Sequence, residues 1–189
     1  MLKRSEGTKA VVSRITPETL VIASLGFAKY DLFQAENRPR NFYMWNSMGM
    51  CASMGLGMAL ARPDERVVVL QGDGDLLMNL GCLATEANQD PKNMIHIVWD
   101  NRMYAITGKQ PTATAFRTDL GGVAKACGFE SVARCETLDA FQKAVDNALA
   151  QPGPHFIHAL TGDAKGEGNI PPSPTFIKHR FLEAMGLPG

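Results

Sequence analysis

The chain has 189 residues, enough for one domain with a sizeable core. Hydrophobic residues make up 45% and charged residues 20%, an ordinary globular balance. Lysine plus arginine (19) equals aspartate plus glutamate (19), so nothing in the formal charge favours nucleic acid or an anionic membrane. The first ten residues are polar and basic, with no apolar segment of a signal peptide. Lys9–Ile15 reads as a short opening helix, and Leu20–Leu25 as a buried strand ended by Gly26. Ala28–Ala35 reads as a helix, broken by Arg38-Pro39-Arg40, and Phe42–Trp45 as a short strand. Met48–Ala61 reads as a glycine-rich helix, too short to span a bilayer. Its Met50, Met54 and Met58 stripe is most simply core packing. Val67–Gln71 is an apolar strand running straight into Gly72-Asp73-Gly74, and a helix is expected over Leu76–Asn88. Met94–Asp100 is a further buried strand, followed by a polar segment over 101–118. A helix at Leu120–Cys127, a strand at Glu130–Ala133, a helix at Leu138–Ala150 and a strand at Pro154–Leu160 complete the core. From Thr161 a Gly/Pro-rich tail is expected to run over the surface or a partner.

This alternation predicts a single α/β domain over 1–189, with its core over about 16–160. The expected fold is a parallel sheet with helices on both faces. Cys51, Cys82, Cys127 and Cys135 lack CxxC spacing and sit in apolar or helical surroundings. They read as buried thiols, and the cytoplasm is the default compartment.

In such sheets ligands sit beyond the carboxyl ends of the strands. Two ends carry chemistry here. After Gln71, Gly72-Asp73-Gly74-Asp75 offers tight turning, close backbone approach and a hard carboxylate ligand. After Asp100, Asn101 offers an amide oxygen. Mg²⁺ takes few oxygen ligands and prefers a carboxylate together with its substrate's phosphates, so Asp73 and Asn101 at neighbouring tips fit a Mg-diphosphate cradle. Each piece alone is weak. A GDG after a strand is also a plain turn, Asp-Asn is a common turn start, and a GxGxxG reading fails at Leu77.

GDG followed by an Asn-bearing strand end resembles the signature of the thiamine diphosphate (ThDP) dependent decarboxylases. The segment GDGDLLMNLGCLATEANQDPKNMIHIVWDNRMYAITGKQPT and the upstream run RPRNFYMWNSMGMCASMGLGMALA are similar to the sulfopyruvate and phosphonopyruvate decarboxylases within it. The resemblance covers about 20–174. It implies the diphosphate-binding fold of that family, with ThDP and Mg²⁺ as cofactors. Asp73, Asn101 and the Met103 carbonyl are implied as metal ligands. The backbone at Gly72, Gly74 and Asp75 is implied to hold the diphosphate, and Met48 to prop the cofactor. The Asn46 carbonyl and Met48 N–H are implied to meet the aminopyrimidine. Ser47, Tyr104 and Thr107 are carried over as cofactor-binding positions.

Asp75 departs from the family, which often has Ser or Ala there, and a second carboxylate beside a diphosphate is unfavourable unless it points away. Asn46 and Met103 depart too, at positions that act through the backbone. The family activates ThDP with a glutamate on a separate pyrimidine-binding domain, for which this chain has no room. Glu86 reads as mid-helix, away from the strand tips. The resemblance therefore implies a pyrimidine-domain (alpha-type) partner subunit and a hetero-oligomer with two-fold symmetry. It implies decarboxylation of a small anionic 2-oxo acid, sulfopyruvate first and phosphonopyruvate second. An acetolactate synthase-like carboligase and a non-enzymatic ThDP-binding protein are the alternatives. Among the histidines, His96 and His158 read as satisfied core residues. His155 opens a strand and His179 falls in a solvated basic turn. Lys109 and Arg102 are cations near the expected site.

Overall fold

A computed structural model describes residues 1–162 and 173–188. Six parallel strands form one sheet in the order β2-β1-β3-β4-β6-β5. They are β1 (Leu20–Ala23), β2 (Asn41–Tyr43), β3 (Val67–Gly72), β4 (Met94–Asp100), β5 (Ser131–Cys135) and β6 (His155–Leu160). The helices are α1 (Arg4–Val12), α2 (Phe27–Ala35), α3 (Cys51–Ala61), α4 (Asp73–Leu77), α5 (Cys82–Gln89), α6 (Leu120–Cys127), α7 (Leu138–Ala150) and α8 (Pro174–Ala184).

Strand side chains alternate between the two covered faces. Val21, Val68, Leu70, Ile95 and Ile97 pack under α1, α2 and α7. Leu20, Ile22, Val67, Val69 and Met94 pack under α3 and α8, and Val98 and Phe156 under α5 and α6. The predicted layers are therefore present.

Several boundaries differ from expectation. The opening helix starts at Arg4, because Arg4, Gly7 and Thr8 are themselves buried and extend the packed face. The single helix expected over Leu76–Asn88 is two helices, α4 and α5, interrupted at 78–81. There the Asn79 side chain donates to the Gly49 carbonyl (3.1 Å) and to Ser53 Oγ (3.2 Å), which ties the break to the neighbouring loop. The methionine stripe is only partly core: Met54 and Met58 pack against the cluster beneath α3, whereas Met50 is exposed. In the tail, α8 buries Ile177 and Phe181, with the Phe181 ring 5.3 Å from that of Phe42. His179 sits on this helix rather than in a turn. The rest of the expected tail, 163–172, lies outside the described residues.

The four cysteines are free, three of them buried and Cys127 partly so. Burial pushes the thiols of Cys82 and Cys135 up to about 12 and about 11, so neither is a nucleophile at neutral pH.

Candidate functional site

From β1 the chain runs outward to β2, then returns to place β3 on the other side of β1 and continues to β4. Strand order thus reverses between β1 and β3, and a crevice opens beyond their carboxyl ends. A cleft of ≈ 170 Å³ lies there. It is lined by Ser24 to Ala28 after β1, Gly72 to Asp75 after β3, and Asn101 and 103–107 after β4. Met48 and Trp99 complete it, and Arg4 enters from α1.

Of the residues singled out in the sequence, Met48, Gly72, Asp73, Gly74, Asp75, Asn101, Met103, Tyr104 and Thr107 all line this cleft. Asn46 and Ser47 do not; they are exposed on the approach to Met48. Both have positive φ (54° and 55°), a costly conformation for residues with a side chain. The Lys29 ammonium anchors the start of this loop, donating to the Met44 carbonyl (3.2 Å) and lying 4.2 Å from the Trp45 ring centre.

The GDG segment is the first turn of α4, with Gly72 as its N-cap. A Cβ on Gly74 would meet the Tyr104 ring at 2.5 Å, so only glycine permits this contact. Nothing lies within 4 Å of a Cβ built on Gly72. The segment after β4 folds back on itself: Met103 bridges to Pro111, and Tyr104 N–H donates to the Gln110 carbonyl. This brings Thr112 and Thr114 to the metal-ligand candidate. Asp73 Oδ2 accepts from Thr112 Oγ1 (2.6 Å) and Thr114 Oγ1 (3.2 Å). Thr114 also lies 2.8 Å from Asp100 Oδ1, and Asp100 Oδ2 meets His158 Nε2 at 2.8 Å. Burial, reinforced by the Asp100 charge, pushes the Asp73 carboxyl up to about 6 against the pull of its hydroxyl donors. For Asp100 burial is outweighed by the His158 and Thr114 hydrogen bonds, and its carboxyl titrates below the usual range.

Asp75 lines the cleft, but both oxygens of its carboxylate are engaged within the protein: Oδ1 accepts from Gly49 N–H (3.0 Å) and Oδ2 from the Gln71 amide. Gln71 Oε1 meets His96 Nε2 (2.9 Å), and His96 Nδ1 meets Glu86 Oε2 (3.0 Å). His96 is therefore a satisfied core residue, as the sequence suggested, whereas His158 is buried and bonded through Nε2 only, its Nδ1 having no hydrogen-bond partner among the described residues. Arg102 and Lys109 are exposed, and neither lines the cleft.

Sequence reasoning missed Arg4, Ser24, Phe27, Trp99, Thr112 and Thr114. Arg4 is buried, paired with Asp31 (2.6 Å) and set 5.3 Å from the Phe27 ring centre. The alternation of β4 places Trp99 on the α1 face but gives no hint that its ring borders the cleft.

The donor set suits a hard cation bound together with an anionic ligand. Asp73 is a buried carboxylate whose charge is disfavoured by burial and by Asp100, a penalty that a divalent cation would relieve. Among the described residues no three His, Cys, Asp or Glu side chains are arranged to hold a metal ion by themselves. A cation here would take amide, carbonyl and phosphate oxygens beside the one carboxylate, which fits Mg²⁺. Trp99 Nε1 is a buried donor with no hydrogen-bond partner among the described residues, on a side chain that borders the same cleft.

Residues 24–159 match the family described as thiamine pyrophosphate enzyme, C-terminal TPP binding domain. The chain belongs to that family. It is 38% identical over 184 residues to the sulfopyruvate decarboxylase subunit beta of Methanocaldococcus jannaschii, covering 97% of each chain. It is 36% identical over 187 residues to the phosphonopyruvate decarboxylase of Streptomyces viridochromogenes, covering 98% of this chain and 47% of that one. The fold matches a Rhodococcus jostii thiamine diphosphate-dependent 4-hydroxybenzoylformate decarboxylase with a TM-score of 0.77 at 19% identity. That match covers 87% of this chain and 33% of the solved one.

Proposed function

We propose that this chain is the diphosphate-binding subunit of a ThDP- and Mg²⁺-dependent decarboxylase of a small anionic 2-oxo acid, sulfopyruvate giving sulfoacetaldehyde and CO₂. The observation that carries the reading is one cleft, at the point where strand order reverses, that gathers Met48, Gly72 to Asp75, Asn101, Met103, Tyr104 and Thr107. Asp73, Asn101 and the Met103 carbonyl would hold Mg²⁺. The backbone of Gly72, Gly74 and Asp75 would hold the diphosphate, with Tyr104 and Thr107 beside it and Met48 supporting the cofactor. Asn46 and Ser47 would serve through the backbone of the approach loop. ThDP, when bound, supplies a nucleophilic carbon and an electron sink for the electrons left by CO₂.

A partner subunit carrying the pyrimidine-binding half is part of the proposal, in a hetero-oligomer with two-fold symmetry. Four observations support it. The end-to-end match is to a protein named as a subunit, whereas the phosphonopyruvate decarboxylase is matched over 47% of its length. The cleft's ≈ 170 Å³ is also below the roughly 300–1,000 Å³ typical of ligand pockets. Exposed Met48, Ile106 and Phe116 flank the cleft or the chain leading from it, apolar surface for a second chain to cover. Glu86 is buried, bonded to His96 through Oε2 and absent from the cleft lining, which supports a glutamate from the partner as the ThDP activator. The free thiols suit a reducing cytoplasm. Among the described residues no helix is long and apolar enough to cross a membrane. Phosphonopyruvate is the second reading, favoured by the similarity to its decarboxylase.

The test is CO₂ release with ThDP and Mg²⁺ from sulfopyruvate, phosphonopyruvate and pyruvate, by this chain alone and with its co-encoded partner. Release from sulfopyruvate only with the partner is expected. Turnover by the purified chain alone would overturn the split-enzyme reading.

A further inference from the structure

The loop that delivers Met48 to the cleft is held in place from beneath. Asn46, Ser47 and Gly49 all have positive φ (54°, 55° and 90°), so the loop needs outside restraint to persist. Side chains from α4 and the turn after it grip both polar atoms of Gly49. Its N–H donates to Asp75 (3.0 Å) and its carbonyl accepts from Asn79 (3.1 Å). A Cβ at Gly49 would also meet Met78 Cβ at 3.0 Å, so the fit is close.

Asp75 is itself held through Gln71 and His96 to Glu86, a line of side chains that are all at most 5% exposed. Hydrogen-bond polarity along this line is fixed by chemistry. An ionised carboxylate only accepts, a primary amide donates at one end and accepts at the other, and a neutral imidazole does the same. The three contacts between Asp75 and Glu86 need three protons, and the amide and a neutral imidazole supply two. One further proton must lie in the line. With Gln71 Nε2 facing Asp75, that proton sits on the His96–Glu86 contact, and Asp75 stays a pure acceptor for Gly49.

We infer that Asp75 is a positioning residue. Its carboxylate, oriented by the Gln71–His96–Glu86 line, holds the Asn46–Gly49 loop and thereby sets where Met48 enters the cleft. The consequence for ThDP rests on the function proposed above; the loop geometry does not.

Two substitutions separate polarity from bulk. Glu86→Gln supplies the third proton as an amide N–H, so the bonds from His96 Nε2 to Gln71 and from Gln71 to Asp75 keep their direction. Asp75→Asn also satisfies every contact, but only if Gln71 turns over, which makes His96 Nε2 an acceptor and moves the ring proton to Nδ1.

The test is NMR on the full ¹⁵N-labelled chain with ¹³C-methyl methionine, followed by titration with Mg²⁺ and ThDP. In the wild type and in E86Q, His96 Nε2 is expected to carry a proton; in D75N it is expected to be bare. In D75A the Met48 methyl signal is expected to shift or broaden before any cofactor is added, and Mg-ThDP to bind about tenfold more weakly. E86Q is expected to leave both unchanged. An unmoved Met48 methyl in D75A, or a protonated Nε2 in D75N, overturns the inference. If D75A does not fold, the D75N ring signal decides by the same criterion. Failure of the wild type to bind ThDP even with the partner subunit present, with the Met48 and His96 signals as expected, counts against the proposed function and leaves the loop assignment standing.

Discussion

Two buried polar lines run beneath the same end of the sheet, and they are built oppositely. One joins Glu86, His96, Gln71 and Asp75 to Gly49. The other joins His158, Asp100, Thr114 and Asp73, with Thr112 beside them. In the first, the two carboxylates stand at opposite ends, separated by an amide and an imidazole. In the second, the carboxylates of Asp73 and Asp100 share the Thr114 hydroxyl, and burial and mutual repulsion raise Asp73 to about 6. The first line is a support whose polar groups are mostly paired within the protein. The second carries an unrelieved cost at its cleft end, which the cation of the proposed function would relieve.

The sharpest way to break this contrast is at Asp73. Asp73→Ala is expected to weaken Mg²⁺-dependent ThDP binding by at least about 100-fold, measured by calorimetric titration, and Asn101→Ala to weaken it in the same direction. Normal binding by both variants would make the second line another support.

The next test uses the ligand-free chain. The folded Asp73 carboxyl titrates near 6, above its ordinary 3.8. Its protonated form stabilises the fold, fully below about pH 4, and this contribution is lost as pH rises through about 6. The loss is roughly 3 kcal/mol at neutral pH. Denaturant melts between pH 4 and 7.5 should show this decline, and Asp73→Asn should remove it. Omitting Mg²⁺ from a ThDP titration should abolish binding above pH 6, where the bare carboxylate would face the diphosphate.

On the supporting line, His96→Leu strands Gln71 and Glu86 in the core. Its expected cost is roughly 1–3 kcal/mol of stability by thermal melt. The smallest effect is expected at His158→Gln, where an amide replaces the donor to Asp100 and stability changes by less than about 1 kcal/mol. A large loss there would mean that His158 does more than hold Asp100.

The parts legible in the sequence were those with local signals. Strand β4 and helices α6 and α7 have the expected bounds. Asp119 and Thr137 cap their helices through their own side chains, and Gly128 closes α6 in the left-handed region. The GDG turn and Asn101 were legible because each lies at the end of an apolar run. Helix α8 had a signal that went unread: Ser173 caps it and Pro174 occupies its first turn. The partners of His96 and His158 were not legible, since they lie 10 to 58 positions away and are brought together only by strand order. The orientation of Asp75 was hidden for the same reason, because Gly49 lies 26 positions upstream in a different loop.

On the proposed function, the small volume of the cleft bears on how such a protein would evolve. Residues that hold a diphosphate and a cation would answer to the unchanging part of a cofactor, while the walls that judge a substrate would be left to a second gene. Mutations that retune specificity could then accumulate in the partner without disturbing the buried lines beneath Asp73 and Asp75. Selection on substrate and selection on folding would fall on different polypeptides.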